Sequence, residues 1–506
     1  MNVLVFLADD LGWGDLGCFG STNIPTPHSD ALAQRGVRFS DCHASSAVCT
    51  PSRYSLLTGS YPWRGPLQRG VLGGIDPCIV SDGQVTLAKT LQSAGYRTGA
   101  FGKWHLGMDW TTDSGQRPTA FDGQAFVPHL QATGREIDYR IPVTRGPLTS
   151  GFDRFFGIAG SLDMPPYCFI DQDRTQGIPD REKTPLISSQ RPGLTVEGWR
   201  DDDVDTRVTS AACKWLRQQA EERIPFFAYV ASAAPHRPCV PPDFVRGASQ
   251  AGPRGDAVCL VDWMVGTLVH ELEQAGVREN TLLILTSDNG APTMFPEDGD
   301  VEHHHPNGPW RGQKADVWEG GHRVPLIICG PQVLETGVVR DEPISLLDVF
   351  PTVLDLLGIG GQNEPSAMDQ GSDVCAFDGR SFADLVTESS GVSAVNSTAR
   401  VFGQQAFDGS LVLREGQRKA IFSTGSGGFS EPVGVPLGDT AQPPGDGQFY
   451  DLSSDPIEAN NIWASSVSLI RHMYQGFCLT TGFDHPALRK ALPPEPVKGP
   501  PNDAEL

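Results

Sequence analysis

Asp9-Asp10 and Asp288-Asn289 supply three carboxylates and one amide that could gather as oxygen ligands. Carboxylates grouped in an apolar crevice repel one another unless a cation holds them. Such a hard donor set suits Ca2+ first and Mg2+ second. Zinc suits it less, because no His or Cys cluster with ligand spacing accompanies the acids. Taken singly, each pair also fits a strand-end turn. The second chemical feature is the run Cys49-Thr50-Pro51-Ser52-Arg53. Residues 52–57 read as a helix start, whose free N–H groups favour anions. Arg53 adds a guanidinium fork matched to tetrahedral oxyanions. Sulfate fits that cradle, and phosphate fits it equally.

These residues share one placement. Short apolar runs at 3–7, 98–101, 226–230, 282–286 and 324–329 read as buried parallel strands. Asp9 and Asp10 close the first run. Lys103 and His105 follow the second, His236 follows the third, and Asp288 and Asn289 close the fourth. Ligand sites of open α/β sheets collect at the carboxyl ends of strands. Helical periodicity at 204–223 and 257–276, and a short helix at 348–357, alternate with the runs and predict an α/β sheet covered on both faces. A Gly/Ser/Asp/Pro-rich stretch at 360–395 reads as a boundary. Beyond it, 401–407, 410–414 and 418–424 alternate like antiparallel strands, with Asp408-Gly409 and Glu415-Gly416 as turns. Residues 449–452 lead to a last helix near 466–478, and the tail from 492 is Pro-rich. The predicted division is a catalytic unit at 1–385, an antiparallel-sheet subdomain at 396–490 and a tail at 491–506.

The chain has 506 residues, enough for two to four domains, and a net charge of −22. That charge disfavours nucleic acid as a partner. An acidic protein that meets an anion must concentrate cationic groups locally. No apolar stretch approaches the ~20 residues of a membrane span. The N-terminus runs directly into a core strand, without a recognisable signal peptide. The 11 cysteines lack zinc-type spacing. Asn396-Ser397-Thr398 is a glycosylation sequon.

The Cys-x-Pro-x-Arg run, with its Leu56-Leu57-Thr58-Gly59 tail, resembles the core motif of the type I, formylglycine-dependent sulfatases of the alkaline-phosphatase-like superfamily. The resemblance extends, in order, over Leu4–Asp15 (LVFLADDLGWGD), Gly95–Gly107 (GYRTGAFGKWHLG), Pro235–Pro238 (PHRP), Ser287–Gly290 (SDNG), Gly308–Pro325 (GPWRGQKADVWEGGHRVP) and Phe449–Asn461 (FYDLSSDPIEANN). It implies an alkaline-phosphatase-like sandwich with a large, mostly parallel sheet flanked by helices and a smaller C-terminal subdomain. It implies that Cys49 is oxidised to formylglycine by a formylglycine-generating enzyme. Asp9, Asp10, Asp288 and Asn289 would bind Ca2+ together with residue 49. Arg53 would stabilise the formylglycine hydrate, and Lys103 and Lys314 would grip the sulfate. One hydroxyl of the hydrate would attack sulfur while His236 protonates the departing alcohol. His105 would then take the proton of the other hydroxyl as sulfate leaves.

A thiol in that role would leave a sulfate thioester that needs water to break it, whereas a geminal diol carries its own second hydroxyl. The substrate implied is a sulfate ester, chiefly of a carbohydrate. Ser161, His305, Trp310 and Arg311 are candidate substrate contacts. Trp104, Trp110 and Trp310 are either sugar-stacking rings or packing. The alternatives are a phosphodiester or phosphonate hydrolase of the same superfamily, or a non-catalytic carbohydrate-binding relative. The resemblance also implies a secreted, periplasmic or lumenal protein.

Overall fold

Apolar runs without alternation belong in strands whose two faces are both covered. In the computed structural model, which describes residues 1–115, 133–295, 297–299, 303–359, 377–387, 400–436 and 447–494, these runs become the strands Asn2–Asp9, Arg97–Lys103, Phe226–Pro235, Thr281–Ser287 and Arg323–Cys329. Asn2–Asp9 lies between Thr281–Ser287 and Phe226–Pro235, parallel to both. Arg97–Lys103 and Arg154–Ile158 continue the parallel set outward. With shorter strands at the edges, the sheet holds eleven strands among the described residues.

Side chains of Asn2–Asp9 alternate between two cores. Val3, Val5 and Leu7 enter one, and Leu4, Phe6 and Ala8 enter the other. The helices Val204–Glu222 and Gly252–Gln274 close the second core with Val208, Leu216, Val261 and Leu268. Each such buried aliphatic side chain contributes about 1.5–3 kcal/mol. The large, mostly parallel α/β sheet expected from the sequence is therefore present.

One strand departs from expectation. Arg323–Cys329 is antiparallel to Thr281–Ser287 and to Val37–His43. The connection leaves at Ser287 and returns along the same sheet edge, so the chain re-enters in the opposite direction. That return keeps residues 303–322 at the edge where Asp9 and Asp288 end. Val37–His43 was not expected as a strand. Its Arg38, Ser40 and Asp41 interrupt any apolar run.

Four antiparallel strands, Val401–Gln405, Leu411–Glu415, Arg418–Ile421 and Gln448–Asp451, form a second sheet. The helix Val467–Thr481 buries Ile470, Met473 and Phe477 against it, beside Tyr61 and Trp63 of the first part of the chain. The expected boundary at 360–395 falls largely on residues 360–376 and 388–399. It lies outside the described residues, as do the sequon and the tail from 495. No helix among the described residues is long and apolar enough to cross a membrane.

A buried ionic network joins the two sheets. Glu319 accepts from Arg323 (2.8 Å), Arg414 (3.0 Å) and Lys419 (3.0 Å). Asp41 pairs with Arg323 at 2.7 Å and Arg414 at 2.8 Å, and Glu458 pairs with Lys419 at 2.8 Å. Three acids thus balance three bases around His43 and His322, whose Nδ1 atoms lie 3.0 Å apart. Burial lowers His43 despite the pull of Glu319 and Asp41. Burial, reinforced by the Lys419 charge, holds His322 well below the ordinary range.

Removing one partner from such a network leaves an uncompensated buried charge, so Glu319→Gln is expected to cost ~3–5 kcal/mol. Denaturant titration measures this, and a loss under ~1 kcal/mol contradicts it. The histidines set a pH dependence. The unfolded chain binds protons below about pH 6.5 that the folded chain refuses, so their contribution is whole above that pH and lost below it. The melting temperature should fall between pH 6.5 and 5, by up to ~1.4 kcal/mol of stability per pH unit per histidine. His322→Gln should flatten the slope, and an unchanged slope contradicts the assignment.

Candidate active site

Asp9 ends the first strand, Lys103 ends the second-run strand Arg97–Lys103, and Asp288 follows Thr281–Ser287 directly. The parallel registers Ala8↔Ser287 and Asp9↔Pro235 bring the ends of Asn2–Asp9, Thr281–Ser287 and Phe226–Pro235 level. Cys49 opens the helix Cys49–Thr58, three residues earlier than the sequence reading placed the start. Pro51 is tolerated there because the first turn leaves its N–H groups without helical acceptors.

One ligand atom each from Asp9, Asp10, Cys49 and His236 fall within 4.8 Å of one another. The acids are fully covered by cations. Lys103 Nζ donates to both oxygens of Asp9 at 2.7 Å. Lys314 Nζ lies 2.7 Å from Asp10 Oδ1, and Arg53 Nε donates to Asp288 Oδ2 at 2.9 Å. Asn289 donates through Nδ2 to Asp10 Oδ1 at 2.7 Å. Three carboxylates therefore meet three side-chain cations, all buried. Burial opposes the charge on Asp9, yet Lys103, His236, Arg53 and Lys314 outweigh it and hold the carboxyl far below its usual range. For Asp288 burial wins over Arg53, repulsion from Asp9 and Asp10 adds to it, and the carboxyl is raised.

The backbone is strained at this site. Asp10 has φ 67°, His105 φ 56° and Ala315, next to Lys314, φ 81°. Non-glycine residues there cost about 1–3 kcal/mol each and persist only where the surroundings over-determine them. Asp10 shows how. Its N–H donates to Asp288 Oδ1 at 3.2 Å, and its carbonyl accepts from Arg254 at 2.9 Å. Arg254 is held in turn by Asp15 at 2.6 and 2.8 Å, and His304 Nε2 lies 2.8 Å from the same carboxylate. Sequence reasoning missed this support. Asp15 lies inside the quoted LVFLADDLGWGD stretch, but nothing in the local pattern pairs it with Arg254, 239 residues away.

His105 Nε2 lies 2.8 Å from the Leu72 carbonyl, which can only accept, so that nitrogen carries the proton. Nδ1 is left as a bare acceptor, buried and without a partner among the described residues. Burial and then the Lys103 and Arg53 charges keep the ring well below its ordinary pKa. His236 uses Nδ1 toward the Arg237 carbonyl at 2.7 Å and turns Nε2 toward Asp10, 3.7 Å away.

The candidate substrate residues divide. Ser161 is buried, and its hydroxyl has no hydrogen-bond partner among the described residues. His305 is exposed. The structure does not bring Trp310 and Arg311 into the cluster. Trp310 lies edge-on to Trp13 with Arg323 over its ring, and Arg311 rests on Trp318 and donates to the Glu458 carbonyl. Trp104 and Trp110 are fully buried packing residues. Lys314 pairs with Asp10 rather than with Glu319, whose partners are Arg323, Arg414 and Lys419.

The donor set suits a hard cation. Asn289 Oδ1 is buried and accepts no hydrogen bond among the described residues, while its Nδ2 donates to Asp10 Oδ1. A buried acceptor without a donor is costly unless something positive meets it. Asp9, Asp10, Asp288 and Asn289 together thus fit a Ca2+-type ligand set.

The family model described as Sulfatase matches residues 1–359. The chain is 31% identical over 499 residues to the N-acetylgalactosamine-6-O-sulfatase of Bacteroides thetaiotaomicron, covering 93% of this chain and 91% of that protein. It is 30% identical over 481 residues to human arylsulfatase A, covering 91% and 83%. A solved structure from work on the metabolism of multiple glycosaminoglycans by Bacteroides thetaiotaomicron superposes with a TM-score of 0.76 at 27% identity, covering 95% of this chain and 99% of that one.

Burial pushes the Cys49 thiol up to about 12, against the opposing pull of Lys103 and Lys314. About one thiol in ten thousand is then ionised at pH 8. In native protein whose residue 49 is still cysteine, iodoacetamide at pH 8 is expected to leave Cys49 unlabelled, and unfolding should expose it. Peptide mapping reads this directly, and rapid native alkylation contradicts it.

Proposed function

This chain belongs to the sulfatase family of sulfuric ester hydrolases, and from that footing we propose that it hydrolyses the sulfate ester of a saccharide. Residue 49 acts as formylglycine in this reading, and Ca2+ is held by Asp9, Asp10, Asp288 and Asn289 with residue 49. The observation that carries it is the convergence of Asp9, Asp10, Cys49 and His236 within 4.8 Å. The 6-O-sulfated N-acetylgalactosamine of the bacterial relative is the first substrate to test.

The residues divide the work. N–H groups at the start of the Cys49–Thr58 helix face an arriving anion. Lys103 and Lys314 supply positive charge next to it, which counts for most where water is excluded. Asp9, Asp10, Asp288 and Asn289 would hold Ca2+, which would supply charge that eases deprotonation of a nucleophile. Formylglycine, as its hydrate, supplies a nucleophilic oxygen and a second hydroxyl through which sulfate is released. Arg53, locked on Asp288, supplies the positive charge that stabilises the hydrate of residue 49. His236, with Nδ1 committed to a carbonyl, presents Nε2 to hand a proton to the departing alcohol oxygen. His105 accepts the later proton at Nδ1, whose lone pair meets no donor among the described residues. Maturation would require a formylglycine-generating enzyme as partner.

Matured protein is expected to turn over sulfated saccharides and to show, at residue 49, the mass loss of a thiol-to-aldehyde conversion. Faster turnover of phosphate diesters or phosphonates by orders of magnitude would overturn the sulfatase reading. An active preparation with unmodified Cys49 would remove formylglycine. Lys314→Ala is expected to lower kcat by roughly 10²–10³-fold, the usual cost of losing one charge-stabilising donor. A loss under about threefold contradicts its role.

A further inference from the structure

Beside the catalytic segments lies a small apolar group separate from the main cores. It consists of Val48, Val71, Met164 and Ala315, with the half-buried rings of Phe407 and Phe429 packed on it. Each of the four is a near neighbour of a site residue. Val48 precedes Cys49, Ala315 follows Lys314, Val71 precedes the Leu72 that fixes His105, and Met164 lies three residues beyond Ser161. The rings come from the C-terminal part of the chain, whose described residues supply none of the charged groups of the site.

Their positions are fixed by backbone contacts. Phe407 N–H donates to the Ala315 carbonyl at 3.0 Å, and Gly70 N–H donates to the Phe407 carbonyl at 2.8 Å. Ala47, two residues before Cys49, donates to the Gln405 carbonyl at 2.8 Å, and Ala315 N–H donates to the Ala47 carbonyl at 2.8 Å. Phe429 N–H donates to Asp316 Oδ1 at 2.8 Å. At Gly428 a Cβ would lie 2.3 Å from the Ala315 carbonyl carbon, so only glycine allows that approach. The ring centroids are 5.9 Å apart with planes inclined at 48°.

A phenyl ring offers no hydrogen bond, so these two side chains cannot recognise sulfate. They can bury the apolar face of whatever carries it. Rigid aromatic surface beside a polar centre is how saccharide sites obtain contact at little entropic cost. We infer that Phe407 and Phe429 form the wall against which the sugar ring of the sulfate ester packs, so that the C-terminal segment selects the organic part of the substrate. This rests on the sulfatase reading given above and names the specificity residues of the same site.

The test uses N-acetylgalactosamine 6-sulfate and inorganic sulfate as probes on the full, matured chain. Phe407→Ala and Phe429→Ala should each raise KM for the sugar roughly 10-fold. Inhibition by inorganic sulfate should be unchanged, and Phe407→Tyr should restore the wild-type KM. An unchanged KM in both alanine variants, or an equal weakening of inorganic sulfate, overturns the inference. Melting temperatures within a few degrees of wild type separate lost contact from lost fold. If the wild-type chain turns over no sulfated sugar, the functional reading fails, and the wall is then judged by binding alone. Saturation-transfer NMR on the sugar's ring protons should show contact in the wild type and lose it in the alanine variants. Retained contact, or no binding to the wild type, overturns the wall.

Discussion

Three carboxylates buried at the ends of adjacent strands must be neutralised, and much of the structure answers that demand. Asp9, Asp10 and Asp288 have almost no exposed surface. An unpaired buried charge costs several kcal/mol, comparable with the entire stability of a folded domain. Arg53, Lys103 and Lys314 arrive from three separate segments to meet them. The start of the Cys49–Thr58 helix and the loop that carries Lys314 are therefore held at the same sheet edge by electrostatics as well as by packing. A divalent cation would enter the same balance, competing with the lysines for the oxygens of Asp9 and Asp10.

The second sheet belongs to this arrangement. Val317 N–H donates to the Ser426 carbonyl at 2.8 Å, and Phe407 N–H donates to the Ala315 carbonyl at 3.0 Å. Glu319, five residues past Lys314, is anchored by Arg414 and Lys419 of that sheet. The strained Ala315 conformation is thus over-determined from both sides. One neutral buried network places Lys314, and a second one receives it. The C-terminal strands serve the active site although no charged catalytic group comes from them.

Much of this was legible in the sequence. Apolar runs such as Val3–Leu7 identify strands buried on both faces, and polar residues just after them identify the site edge. What escaped was everything that depends on distant partners. The run 324–329 carries no mark of direction, so its antiparallel pairing had to come from the loop before it. No apolar run marks Val37–His43, because Arg38, Ser40 and Asp41 are polar, yet Asp41 finds Arg414, 373 residues away. Trp310 and Arg311 are candidate substrate contacts in the sequence, and their cation–π partners Arg323 and Trp318 have no local signature there. The role of Arg254 in holding the Asp10 backbone has no local signature at all.

The central claim is that Asp9, Asp10, Asp288 and Asn289 form a cation site shared with residue 49. A crystal structure determined from protein matured and kept in Ca2+ tests it most directly. The account predicts a strong anomalous peak within coordination distance of those four side chains, with Lys103 and Lys314 turned away from the Asp9 and Asp10 oxygens that now hold them. Absence of such a peak, with both lysines still bound to the aspartates and the enzyme fully active, would contradict it.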